Sequence, residues 1–272
     1  MAQACRDSQN DANDYDVIEV SEVEACRNGD LLRKLRRASN TSLLVIRDIL
    51  YRIHRHPTIV KEVIDAGFVG SYVPVDGGLA LFAKRGFSEE FLRKTVEVWR
   101  KSVSEGPYPI HYNTARFLYA LTKFVCSRAR GHVIEVGTGN GFSTLWLAHA
   151  AKEVGVNVIS IDSNASRVAY AKKVLSELGL DNAQVIHGDA KNYGFNEVSE
   201  ATVVFIDGAK NEYLEYLKNV ERVLASRALI LAHNTLSDSY VMKSFLEYLC
   251  SRGECLNVAT DPSGILLATF TR

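Results

Sequence analysis

Five short runs between His132 and Asn234 constrain this chain more than any other feature. They are HVIEVG (132–137), NVISID (157–162), AQVIHGD (183–189), TVVFIDG (202–208) and ALILAHN (228–234). Each has a β-branched or aliphatic core and ends in a turn or polar residue. Helical stretches over 143–152, 165–178, 212–224 and 240–251 separate or follow most of them. Strands alternating with helices close as parallel crossovers, so the pattern predicts an α/β domain with a parallel sheet and helices on both faces. Two further runs, ECLNVAT and GILLATF, are joined by Asp261-Pro262-Ser263-Gly264 with no helix between them. They are expected as an antiparallel hairpin at the sheet edge, which completes a seven-stranded sheet.

Upstream the pattern differs. In FVGSYVPVDGGLALFAKR (68–85), Asp76-Gly77 lies between two apolar runs, the signature of a β-hairpin. Ser88 before Glu89, Glu90 and FLRKTVEVWRK reads as an N-cap with acids in the first helical turn. Leu31, Leu32, Leu35, Leu43, Leu44, Ile46, Ile49, Leu50 and Ile53 recur at helical intervals, predicting two amphipathic helices broken near Asn40. The segment Gly106-Pro107-Tyr108-Pro109 then punctuates the chain. The boundary is placed there: residues 1–105 form a mostly helical accessory cap with a small hairpin, and 106–272 the main domain. Roughly the first 15 residues, polar and without periodicity, are expected to be disordered.

Charge narrows the function classes. Lys plus Arg total 32 and Asp plus Glu total 32, a zero balance that argues against a general polyanion binder. Locally, residues 1–26 are acidic, whereas 27–61 carry nine basic residues against Asp30 and Asp48. The ordinary reading of that stretch is a solvated helix face; the alternative is a surface for an anionic partner such as RNA. No apolar run approaches the ~18 residues of a membrane span, and MAQACRDSQNDANDYD has no signal-like apolar core. Five cysteines lack zinc-type spacing, and Cys250 and Cys255 are expected as free thiols. A soluble cytoplasmic protein without a membrane partner is expected.

The first strand runs into Glu135-Val136-Gly137-Thr138-Gly139-Asn140-Gly141-Phe142-Ser143. Glycines at alternate positions let the backbone turn tightly and approach a ligand, and a turn that opens a helix presents free N–H groups. The spacing is neither the dinucleotide fingerprint nor a P-loop. Asp162 ends the second strand, where a carboxylate can accept hydrogen bonds from both hydroxyls of a ribose. Asp189 and Ala190 end the third, where an adenine edge can be met. Either aspartate alone could simply cap a helix; together with the glycine turn they read as a nucleoside site.

The stretches VIEVGTGNGFSTLWLA, ISIDSNASRVAYAKKVLSELGL, VIHGDA, VVFIDGAKNEYLEYLKNV and ALILAHN resemble a class I S-adenosylmethionine-dependent methyltransferase, with its Rossmann-like sheet. Within that superfamily they are similar to the catechol and caffeoyl-CoA O-methyltransferases, over roughly residues 106–272. The resemblance implies that Glu135, Gly137, Gly139 and Gly141, with Thr138 and Ser143 of the same turn, surround the methionine part of the cofactor. It implies Asp162 on the ribose, Asp189 and Ala190 near the adenine, and Asp207 bordering the cofactor. It also implies a divalent metal on Asp207, with Asn234 as the final ligand and Lys210 helping to deprotonate the acceptor hydroxyl.

At the remaining ligand position this sequence has His233 where the family has aspartate. Mg²⁺ prefers oxygen, whereas imidazole suits Mn, Zn, Fe or Ni. The readings open at this point are a metal site of altered preference, no metal, His233 as a general base, or a plain strand-end histidine. His111 and Tyr112 lie where related enzymes shape the acceptor pocket, Trp146 reads as core, and His54 and His56 as solvated. The function expected is methyl transfer from S-adenosylmethionine to a hydroxyl of a small molecule, by a homodimer. The rivals are an RNA (tRNA) methyltransferase using 27–61 and a non-catalytic S-adenosylmethionine-binding protein.

Overall fold

Apolar β-branched runs and turn glycines shape the larger of two sheets. The computed structural model describes residues 17–21, 31, 35, 38, 39, 42–47, 63–73, 79–84 and 86–271. Seven strands, β5 (His132–Val136), β6 (Val158–Asp162), β7 (Ala183–His187), β8 (Ala201–Ile206), β9 (Leu224–His233), β10 (Cys255–Val258) and β11 (Ile265–Thr271), lie in the order β10-β11-β9-β8-β5-β6-β7. All neighbouring pairs from β7 to β9 are parallel, and β11 pairs antiparallel with both β9 and β10. The strand order reverses between β5 and β6 on one side and β8 on the other. In sheets of this kind the crevice at the carboxyl ends of the central strands is where ligands bind. β8 is buried along its whole length, as a central strand covered on both faces must be.

The helices that precede the sheet explain its upper wall. Helix α1 (Glu89–Glu105) starts at Ser88, whose hydroxyl accepts the Phe91 N–H at 3.2 Å, and Glu89 and Glu90 occupy the first turn. Helix α2 (Tyr112–Arg128) follows the linker 106–111, in which the Gly106–Pro107 peptide is cis. Helix α3 (Phe142–Glu153) follows β5, and α4 (Ala165–Glu177) follows β6 behind the N-cap Asn164. A three-residue 3₁₀ turn (Lys210–Glu212) leads into α5 (Tyr213–Val220), and α6 (Lys243–Cys250) precedes β10. Trp146, fully buried, meets the rings of Phe87, Phe91, Tyr112, Tyr119 and Phe142 at 5.3–6.5 Å, and so reads as core, as expected. Edge-to-face pairs of this sort add roughly 0.5–1.5 kcal/mol beyond the area they bury.

The N-terminal part differs from the helical cap expected. Leu31 and Leu35 are helical and buried, but 43–47 form strand β2 (Leu43–Arg47) rather than a second helix. β2 pairs in parallel with β1 (Val17–Ser21) and antiparallel with β4 (Leu79–Lys84), which pairs with β3 (Phe68–Val73). The expected hairpin is therefore half of a four-stranded sheet, ordered β1-β2-β4-β3. The hairpin's turn, the disorder expected at the N-terminus, His54, His56 and most of the basic stretch 27–61 lie outside the described residues. Helix α2 packs on β3 and β4 on one side and on α3 on the other, so Leu43, Leu81 and Ala83 share one hydrophobic core with Trp146. A buried polar knot reinforces the contact. Lys123 pairs with Glu153 and donates to the Lys84 carbonyl at 2.6 Å, and the Tyr119 hydroxyl donates to Glu153 at 2.7 Å.

Cys250 and Cys255 are not free: they form a disulfide with their Cα atoms 5.5 Å apart. The turn over 251–254 reverses the chain at the end of α6, so the two residues face each other across it.

Candidate active site

A cleft of about 960 Å³ opens at the carboxyl ends of the central strands. That is near the top of the range of about 300–1,000 Å³ usual for ligand sites. Its floor is the glycine turn after β5. Gly137 has φ +96°, and a Cβ there would lie 2.3 Å from the Asp207 carbonyl oxygen, so only glycine lets the ends of β5 and β8 approach. Gly141, at φ +92°, is the N-cap of α3 and has no side chain to close the turn. The side of the cleft near the turn is bordered by Pro107, which packs over Gly139 at 3.2 Å from where its Cβ would be.

Most of the sequence-derived cofactor residues converge here, while Gly141 and Glu135 do not line the cleft. Gly137, Thr138, Gly139, Ser143, Asp162, Asp189, Ala190 and Asp207 all line the cleft. Asp162 accepts the backbone N–H of Gly139 and of Asn164, each at 2.8 Å, which fixes its carboxylate at the mouth of the turn. Asp189 accepts the N–H of Lys191 at 2.9 Å. It therefore caps its turn and lines the cleft at once. Lining residues that were not anticipated include Asn140, Ser163 and Arg167. The Asn140 Nδ2 is buried and has no hydrogen-bond partner among the described residues, an exception to the rule that buried donors are satisfied.

Glu135 stands apart. It is fully buried and does not line the cleft. Its carboxylate accepts the hydroxyls of Ser143, Thr144 and Ser160, each at 2.5 Å, and so fastens β5 and β6 to the first turn of α3. Burial pushes its carboxyl up to about 7, against the pull of those three hydroxyls. It holds the turn from below through Ser143, which itself lines the cleft.

The far end of the cleft gathers Asp207, Lys210, His233 and Asn234. Asp207 follows β8, where it accepts from Lys210 Nζ at 2.9 Å. The same ammonium also reaches the Gly208 carbonyl at 3.1 Å and the Tyr213 hydroxyl at 3.3 Å. His233 ends β9. Its Nδ1 is 3.4 Å from Asp207 Oδ1 and its Nε2 is 3.0 Å from Asp261 Oδ2. Burial would lower His233, but the two carboxylates outweigh it and raise the imidazole to about 9. Burial likewise opposes ionisation of Asp207 and Asp261. His233, joined by Lys210 at Asp207 and by Thr114 and the Ser263 N–H at Asp261, nevertheless holds both carboxyls below the usual range. Asn234 sits at φ +63°, with its Nδ2 3.5 Å from Ser237 Oγ.

Asp261 is the residue sequence reasoning missed. It lies in the turn between β10 and β11, far along the chain from His233, and only the β11–β9 pairing brings the two together. Of the acceptor-pocket positions, His111 lines the cleft, while Tyr112 packs on Phe142 at 5.0 Å within the aromatic core.

The donor set fits a divalent metal poorly. Asp207 brings a carboxylate to the position, and its Oδ1 already faces the Lys210 ammonium and the His233 ring. Both ring nitrogens face carboxylate oxygens, whereas a ligating imidazole must turn a deprotonated nitrogen to the metal. Among the described residues no group of three or more His, Cys, Asp or Glu is placed to hold a metal ion.

Comparison with known proteins agrees with this geometry. Residues 134–235 match the family model described as "Methyltransferase domain". The chain is 29% identical to a catechol O-methyltransferase of Niastella koreensis over 135 residues, covering 48% of this chain and 59% of that protein. It thus spans less than two thirds of that curated relative's length. The fold is similar to that of an O-methyltransferase from Bacillus cereus in complex with S-adenosylhomocysteine, with TM-score 0.57 and 16% identity over 68% of this chain and 92% of that one. It is equally similar to the O-methyltransferase TomG from Streptomyces achromogenes in complex with S-adenosylmethionine, with TM-score 0.57, 19% identity and the same coverage. Residues 134–235 thus match the methyltransferase-domain family, and the chain resembles the S-adenosylmethionine-dependent O-methyltransferases, catechol and caffeoyl-CoA types among them.

Proposed function

We propose that this chain transfers a methyl group from S-adenosylmethionine to a phenolic hydroxyl of a small molecule. The observation that carries the reading is one continuous cleft lined at one end by the glycine turn, Asp162, Asp189 and Ala190, and at the other by Asp207, Lys210 and His233. A nucleoside-bearing donor and a small acceptor fit side by side in such a cleft. When bound, S-adenosylmethionine supplies a sulfonium methyl, which is already an activated donor. The protein's part is alignment, exclusion of water and control of the acceptor's charge.

The acceptor class follows from that charge control. Lys210 has three acceptors for its three ammonium hydrogens, and both nitrogens of His233 face carboxylates, so neither is a free base. Both are instead placed cations that favour an oxyanion at the Asp207 end of the cleft. A phenol, near a pKa of about 10, can give up its proton to solvent on entering the cleft with that help; an aliphatic hydroxyl, with a value close to that of water and far higher, cannot. Trp99, Val103, Tyr108 and His111, from α1 and the linker, form the remaining wall and suit a flat aromatic acceptor. On this reading residues 1–105 contribute acceptor selectivity through α1.

The test is incubation of the purified protein with methyl-labelled S-adenosylmethionine and matched pairs of phenols and aliphatic alcohols. Label should pass to phenols of the panel and to none of the alcohols. Transfer to alcohols at a comparable rate would overturn the acceptor assignment.

A further inference from the structure

We infer that His233, gripped between Asp207 and Asp261, is itself the resident cation of the acceptor end of the cleft, and that this chain takes no divalent metal there. The inference rests on the methyltransferase reading only for its use; the geometry stands without it. A neutral imidazole has one N–H and one lone pair. A ring nitrogen presenting its lone pair to a carboxylate oxygen is repelled, so a ring set between two carboxylates is held with both nitrogens protonated. His233 is set in that way, at 3.4 Å from Asp207 and 3.0 Å from Asp261, and its side chain is 7% exposed.

Asp261 is the positioning residue. Its side chain is fully buried. Its Oδ1 accepts the N–H of Ser263 at 2.8 Å and of Gly264 at 3.2 Å, and its Oδ2 accepts the Thr114 hydroxyl as well as the ring. No lone pair is left to turn towards the cleft. The Asp261 turn is also fastened to the first turn of α2, where Asn113 donates to the Thr260 carbonyl at 2.7 Å and the Thr114 and Thr260 hydroxyls meet at 2.8 Å. The aspartate that the resemblance expects beside Asn234 is thus replaced by a histidine, and a carboxylate from a different strand connection stands behind that histidine. The negative charge has moved from the cleft wall to the back of the ring, and the ring carries the positive charge forward.

The arrangement balances without a metal. Asp207 and Asp261 are matched by Lys210 and His233. A divalent ion would have to displace a ring proton and share the Oδ1 of Asp207 with Lys210, with one carboxylate instead of two to hold it. Affinity for hard cations rises with the number of charged oxygens in the site.

Two measurements on the folded protein with bound S-adenosylhomocysteine test this. In ¹⁵N spectra at neutral pH, both His233 nitrogens should show attached protons, and Asp261→Asn should move the ring towards the neutral form while the protein stays folded. In a titration followed by the electron spin resonance of free Mn²⁺, wild type should show no saturable site. His233→Asp should gain one, at least about tenfold tighter than any residual binding, because a hard oxygen and a negative charge replace the cation. Saturable binding of one Mn²⁺ by wild type, or a deprotonated Nδ1 in its spectrum, would overturn the inference; both readouts use wild type and hold even if His233→Asp does not fold. Binding of S-adenosylhomocysteine is read separately, so failure of the metal inference and failure of the methyltransferase reading are distinct results.

Discussion

Replacing Glu135 by glutamine removes one buried charge and almost nothing else. The wild-type carboxylate has its ordinary value of 4.5 raised to about 7 by full burial, even with Ser143, Thr144 and Ser160 donating to it. At about 1.4 kcal/mol for each pH unit, ionising Glu135 costs the folded state roughly 3 kcal/mol. The sign follows from proton linkage. A group with a raised folded-state value contributes stability that is fully present below the unfolded value and lost as pH rises through the folded one. Wild type should therefore lose roughly 3 kcal/mol through this group between about pH 4.5 and pH 7 and above. The amide is isosteric with the protonated acid and does not titrate. Glu135→Gln should match wild type near pH 4.5 and exceed it by roughly 3 kcal/mol at pH 8.5, several degrees in melting temperature for a chain of this size. Urea unfolding of both proteins across that range is the assay, and the difference between them cancels the contributions of other groups, His233 included. Because Glu135 does not line the cleft, the affinity for S-adenosylhomocysteine should stay within about tenfold of wild type, about 1.4 kcal/mol. A variant that follows the wild-type pH slope, or that loses cofactor binding while folded, would refute the reasoning.

Asp162→Ala should weaken S-adenosylhomocysteine binding by about 2 kcal/mol, measured by calorimetry, since a hydrogen bond to a charged group is lost; unchanged affinity in the folded variant would remove Asp162 from the site. Gly137→Ala should abolish cofactor binding or destabilise the domain by more than about 2 kcal/mol in urea, because φ +96° and a contact of 2.3 Å with backbone leave a side chain no room. Trp146→Ala should cost about 3–5 kcal/mol of stability, as expected for emptying a fully buried aromatic site. A loss under about 1 kcal/mol would show that the ring cluster around it collapses to fill the space.

The main sheet was legible because each strand run is bounded by turn residues and most are followed by a helix of sufficient length. Only β9 differs appreciably, beginning at Leu224, where the helix was expected to end, rather than at Ala228. The run Leu43–Arg47 was not legible. A short apolar stretch carries the same residues whether it is a buried strand or a piece of helix, and its pairing with β1 and β4 decides the matter. Cys250 and Cys255 gave no warning either, since five residues can hold two cysteines apart or bring them together depending on the turn. In the site, the residues that border the cleft follow directly from strand ends, so Asp162, Asp189, Asp207 and His233 could be placed by counting. Asp261 could not. Its role depends on β11 returning beside β9, a tertiary pairing that no local pattern encodes.

The central claim is that the cleft is built for S-adenosylmethionine. Calorimetric titration of the purified protein with S-adenosylhomocysteine tests it without knowledge of the acceptor. One saturable site per chain is predicted, lost in Gly137→Ala and weakened in Asp162→Ala. A folded wild-type protein that takes up no S-adenosylhomocysteine would contradict the account.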